Sequence, residues 1–142
     1  MEERVWSLAG SRPLAGDVTV RLLDGHRCRT KESLLTHWAG RLSFPGYFGR
    51  NWDAFEECLI DFLHDSVPSG DGLVLRVENA GDLLIEGDES ELRVLADILR
   101  TVVADFREPG SPDVAVELAD DEARLAALRR RLERKGSGGI SG

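Results

Sequence analysis

The stretch Phe44–Leu63, FPGYFGRNWDAFEECLIDFL, decides how the rest of the chain is read. Pro45, Gly46, Tyr47, Phe48 and Gly49 form a loop too rich in turn formers to be helical, yet it carries two adjacent aromatic rings. Asn51 then offers a side-chain oxygen as an N-cap. Trp52, Phe55, Leu59, Phe62 and Leu63 recur at the three- and four-residue steps of one helix face, which predicts a half-buried helix. Asp53, Glu56, Glu57 and Asp61 fall on the other side, with Asp53 and Glu57 one helical turn apart. Between Asn51 and Leu75 the one basic-capable side chain is His64, while Asp65 and Asp71 add further carboxylates. A field of a single sign steers cationic partners and repels nucleic acid.

Outward from this stretch, 142 residues with 42% hydrophobic and 31% charged side chains suit one globular domain, and no internal repeat divides it. The net charge of −8 argues against a nucleic-acid-binding protein, whose affinity comes from neutralising phosphates, and favours a basic partner. Acidity alone is common among soluble proteins; its clustering on one predicted helix carries the signal. No apolar run approaches the ~20 residues of a membrane span. The opening MEERVWSLAG leads with acids instead of the basic and apolar regions of a secretory signal, so a cytoplasmic protein is expected. Cys28 and Cys58, one expected in a strand or its edge and one in a helix, have no short-spaced ligand partners. Two reduced thiols and no metal site are expected.

Residues 1–16 contain the breaker run Gly10–Pro13 and read as an N-terminal arm or a short extra strand around Val5 to Leu8. Val18 to Leu23 is β-rich, ends at the turn signal Asp24-Gly25, and is expected to be a central strand. Thr30 reads as the N-cap of a first helix packed through Leu34, Leu35, Trp38 and Leu42. Beyond the Phe44–Leu63 stretch, Leu73 to Val77 gives a second strand and Asn79 to Ile85 a short helix ended by Gly87. Asp88 or Ser90 caps a longer helix carrying Leu92, Leu95, Ile98, Leu99 and Val102 on one side. Val114 to Leu118 is a third strand. Strands alternating with helical sequence predict an α/β fold, a small three-stranded parallel sheet packed with helices. Residues 120–135 add a C-terminal helix, acids first and Arg129, Arg130, Arg131, Arg134 and Lys135 last, as the helix dipole favours. Its basic end is expected to be solvated, and the Gly/Ser-rich residues 136–142 to be a disordered tail.

The run Pro45 to Leu59 resembles the barstar family, intracellular protein inhibitors of secreted ribonucleases of the barnase type. The resemblance lies in Tyr47, Phe48, Gly49, Asn51, Asp53, Ala54, Glu57, Cys58 and Leu59 at ungapped spacing, and extends upstream through Asp24, Gly25, Leu34 and Leu42. It implies a barstar-like domain over residues 17–119 and an inhibitor, not an enzyme, with no cofactor. The implied partner is an extracellular guanyl-specific-type ribonuclease with a basic active site, bound by a monomer in a 1:1 complex, and neither nucleic acid nor membrane. Tyr47, Phe48, Gly49, Asn51, Asp53, Glu56 and Glu57 are then the partner-binding residues. Tyr47 stacks into the mouth of the nuclease cleft, Asp53 meets basic residues at its edge and Glu57 sits deepest as a phosphate surrogate. Phe48 is expected to face inward, and Trp52 and Phe55 to belong to the core. The chain departs from the family pattern at four places. Glu56 stands where a large aromatic is usual, Glu57 is one methylene longer than the family's aspartate, and Gly46 and Arg50 replace acids. The family's contact acid on the late helix has no assignable counterpart.

Two other classes compete on the same residues. A carboxylate pair could serve glycoside hydrolysis, but an i, i+4 pair on one convex helix face does not flank a sugar ring from two sides. His26, His37 and His64 have no nucleophile at motif spacing and read as structural or exposed, and Cys58 as a small buried hydrophobe. A binding module of the same fold, serving as immunity protein against another toxin enzyme or as a regulator with a different basic partner, is the stronger alternative.

Overall fold

Val18–Asp24 (β2), Gly72–Glu78 (β3) and Asp113–Asp121 (β4) form three parallel strands, and Glu3–Ala9 (β1) adds a fourth, antiparallel to β4. The helices are Lys31–Leu42 (α1), Trp52–Ser66 (α2), Glu89–Asp105 (α3) and Glu122–Glu133 (α4). This computed structural model describes residues 3–10, 17–45, 51–66, 71–106 and 113–133. The α/β class, the parallel strands and the extra C-terminal helix are those the sequence predicts.

The strand order β1-β4-β3-β2 corrects the expectation that Val18–Leu23 is central. The interior strands are β3 and β4, with β3 buried at five of its seven positions, whereas Val18, Thr19, Val20, Arg21 and Leu22 of β2 are all exposed. The physical reason is that β2 pairs with β3 alone, while the remaining strand, β1, pairs with β4 on the far side of the sheet and leaves the outer edge of β2 without a strand. On one face Leu8, Leu23, Leu73, Leu75, Val77, Val116 and Leu118 join the helices in a single core. Strand side chains alternate between faces, so Val18, Val20 and Leu22 lie on the opposite side.

Local signals place the helices as read. Thr30 accepts from the Ser33 amide at 3.1 Å while Ser33 accepts from the Thr30 amide, closing a capping box at α1. Asp88, not Ser90, caps α3 by accepting from the Ser90 amide at 3.0 Å. The short helix expected over Asn79–Ile85 shrinks to a 3-10 turn at Ala80–Asp82, with Asn79 in the left-handed region at φ 52°. It faces a second 3-10 turn at Gly25–Arg27, where a Cβ on Gly25 would collide with the Asn79 carbonyl. Cys28 follows that turn, outside any strand; it is fully buried, and burial pushes its thiol up to about 12, a contact with Trp38 pulling it partly back.

The C-terminal helix docks through its apolar side, and part of its basic end is buried with it. Asp120 and Asp121, expected in the helix, belong to β4. Leu125 and Leu128 are buried, and so is Arg131, whose guanidinium donates to the Leu83 carbonyl at 2.8 Å and the Gly81 carbonyl at 3.5 Å. This corrects the reading of the basic end: Arg129 and Arg130 are exposed, Arg131 is not. The carbonyls of a turn at 81–83 lack the amide donors that a longer helix would supply, and the Arg131 guanidinium donates to them instead. Nearby, Asp82 accepts from Arg124 at 2.8 Å and lies 3.3 Å from Arg29, tying the same turn to α4 and to the chain before α1. Burial raises the Asp82 carboxyl, but its bonds to Arg124 and His26 outweigh burial and hold it below the usual carboxylate range. Arg131→Ala is expected to lose about 1.5–3 kcal/mol of stability, the scale of hydrogen bonds to a charged group, seen as a lower urea midpoint at unchanged slope.

His37 has a structural task. Its Nε2 accepts from the Asp24 amide at 3.0 Å at the end of β2, which requires the neutral ring. Burial lowers its pKa below the ordinary 6.5; Asp24 opposes this, while Arg41 and Arg27 add to it. A depressed folded pKa gives a contribution that is complete above the unfolded value of 6.5 and is lost as the pH falls through the folded value. Wild-type stability in urea is therefore expected to decline from pH 7 to pH 5.5. His37→Gln, which can accept the same hydrogen without titrating, should flatten that slope.

Candidate protein-binding site

Helix α2 starts where the sequence reading puts it. The Asn51 side-chain oxygen accepts from the Ala54 amide at 2.8 Å, and its carbonyl accepts from Phe55 at 2.9 Å. Phe55, Leu59 and Leu63 are fully buried, and the Phe55 ring meets Trp38, Trp52 and Phe44 edge-on at centroid distances of 5.2, 5.6 and 6.2 Å. An aromatic cluster of this kind locks the rotation of the helix about its axis, because turning it would expose Phe55. That rotation sets which carboxylates reach solvent.

Asp53, Glu57 and Asp61 are exposed and Glu56 is half-buried. Among the described residues none of these four carboxylates makes an ion pair. Their charge is thus unspent within the described part of the fold, and Asp53 in the first turn also profits from the positive end of the helix dipole. Tyr47, Phe48 and Gly49, the other predicted contact residues, lie outside the described residues. The structure therefore brings Asn51, Asp53, Glu56 and Glu57 together on one helix start.

Two assignments change. Trp52, expected in the core, is half-buried: its indole N–H donates to Glu91 in the first turn of α3 at 2.7 Å, and the Lys31 ammonium at the start of α1 lies 5.5 Å from its ring centroid. A polar handle favours such a boundary position over a dry core. Trp52 thus joins the beginnings of three helices, and Glu91 is a positioning residue that sequence reasoning missed. No periodicity connects it to Trp52, 39 residues away. Cys58 is half-buried instead of a core hydrophobe, lining a cleft of about 380 Å³ with Phe44, Phe62 and Arg21. Burial raises its thiol pKa, and the Asp61 and Glu57 carboxylates raise it further, so the thiol is held protonated.

Among the described residues no group of His, Cys, Asp and Glu is arranged to hold a metal ion, and no helix is long and apolar enough to cross a membrane. The class defined by these features is a small α/β protein whose accessible helix face is acidic and fixed in orientation by an aromatic core. A family model described as Barstar (barnase inhibitor) matches residues 18–119, well over half of the chain. The chain belongs to the barstar family. No curated protein matches it.

Proposed function

We propose that this protein is an intracellular inhibitor of a secreted microbial ribonuclease of the guanyl-specific type, one nuclease bound per chain, with the start of α2 entering the nuclease active site. The observation that carries the reading is the exposed pair Asp53 and Glu57, free of ion pairs among the described residues, on a helix anchored by Phe55 in a chain of the barstar family. A ribonuclease must hold a phosphodiester with cationic and donor side chains, and a carboxylate delivered on a rigid helix accepts the same hydrogen bonds. Rigidity matters because ordering costs are then met in folding and not at binding. Tyr47 and its neighbours Phe48 and Gly49 complete the contact, and Asn51 holds the helix start. The domain responsible is residues 17–119, with residues 1–16 and 120–135 added to it.

Glu56, Arg50 and Gly46 depart from the family pattern in charge and size within the stretch of sequence that carries Glu57. This favours a cognate nuclease whose cleft differs from that of barnase, and an immunity role against a toxin nuclease uses the same face. The test is a titration of the protein into several microbial guanyl-specific ribonucleases with RNA cleavage as readout. Stoichiometric inhibition of one of them supports the proposal. Folded protein that inhibits none of them overturns it in favour of another basic partner.

A further inference from the structure

The exposed edge of β2 presents two ends of different character. The Gly72 amide donates inward to the Asp17 carbonyl at 2.8 Å, so in this parallel ladder Asp17, Thr19, Arg21 and Leu23 direct their backbone groups to β3. Val18, Val20, Leu22 and Asp24 direct theirs outward. At the far end these outward groups are occupied by α1: Arg41 Nε donates to the Leu22 carbonyl at 3.1 Å, and the Asp24 amide donates to His37. No described residue does this for Val18 and Val20, which are 42% and 46% exposed. Half of the edge is capped, as edge strands usually are, and half is open and apolar.

We infer that the open half of β2 pairs with the same segment of a second copy, antiparallel and centred on Thr19. In that register Val18 faces Val20 of the other copy and Val20 faces its Val18. The outward N–H and C=O groups of these residues then form about four hydrogen bonds, and the carbonyl held by Arg41 is left undisturbed. The same register sets Asp17 directly opposite Arg21 of the other copy, twice, on the helix-covered face. Both side chains are exposed, with Arg21 held over the Phe62 ring at 5.5 Å. An apolar stripe therefore meets an apolar stripe, and an acid meets a base at each end. A shift of two residues, centring the pairing on Arg21, would bring like guanidinium groups together and require the carbonyl that Arg41 already holds. The monomer implied by the family resemblance is thus the dilute form; the net charge of −8 on each copy opposes association and keeps the pairing weak.

The test is sedimentation equilibrium of the full chain up to about 1 mM, a range suited to an interface smaller than standard size, in moderate salt. The wild type should pass from 15.7 kDa toward twice that mass as concentration rises. Arg21→Asp, which sets two carboxylates opposite one another at both ends, should weaken association by about tenfold or more. The double exchange Asp17→Arg with Arg21→Asp should restore it. Val20→Pro removes an outward N–H that the monomer does not use in its ladder and should abolish pairing, with circular dichroism confirming an intact fold. A wild type that stays monomeric throughout overturns the inference, as does a dimer that Arg21→Asp leaves intact or that the double exchange fails to restore.

Discussion

Glu57→Ala is expected to weaken binding to the cognate ribonuclease more than any other single change on α2, by about 30-fold to several thousand-fold. The range corresponds to the roughly 2–5 kcal/mol lost when one partner of a desolvated charge pair is truncated. This scale comes from charge pairs at other interfaces, barnase with barstar among them. The loss should appear as faster dissociation, because the complex forms under the long-range field of the whole acidic face, which one substitution barely alters. Asp53→Ala and Tyr47→Ala should follow in size. Glu56→Ala and Asp61→Ala should cost less and act mainly on the association rate, with an effect that shrinks as salt rises. Stability should not change with Glu57→Ala, since the side chain is exposed and makes no ion pair with a described residue. Surface plasmon resonance at two salt concentrations, alongside urea denaturation, separates these contributions. Equal losses for Glu56→Ala and Glu57→Ala would remove Glu57 from its central place.

Phe55→Ala is expected to give the opposite pattern, a large loss of stability from a residue that touches no partner. Its ring is fully buried between Trp38, Trp52 and Phe44, and truncating such a phenylalanine costs about 3–5 kcal/mol through lost burial and the cavity left behind. A domain of this size holds only about 5–15 kcal/mol in total. The variant should therefore unfold at a much lower urea concentration, and the fraction still folded should bind the nuclease more weakly. The binding loss follows from the helix, because without Phe55 the rotation of α2 is less restrained and Asp53 and Glu57 are no longer delivered in one orientation. Phe55→Leu, which keeps most of the volume, should recover most of both properties. Stability that survives Phe55→Ala would mean that α2 is anchored by Leu59 and Leu63 alone.

Read by themselves, the residues determined the things that depend on near neighbours. The capping oxygens of Thr30 and Asn51 lie three residues from the amides they satisfy. The apolar spacing of Phe55, Leu59 and Leu63 is that of a single helix face, and the exposure of Asp53 and Glu57 follows from the same periodicity. The parallel strands were legible too, because helical sequence separates them and a parallel connection needs a crossover of that length. Tertiary structure alone decided what depends on distant pairs. The run Val18 to Leu22 has the composition of an interior strand, yet β2 pairs with β3 alone, and β1 joins β4, more than a hundred residues away in sequence, on the other side of the sheet. Arg131 looks like its exposed neighbours Arg129 and Arg130 until the turn at Gly81 and Leu83 supplies carbonyls 50 and 48 residues away. Trp52 leaves the core because Glu91 offers its indole an acceptor at the boundary. Periodicity records which face of an element is apolar. It does not record which distant group will meet that face, and the cost of leaving a buried polar atom unpaired is settled only when the elements pack.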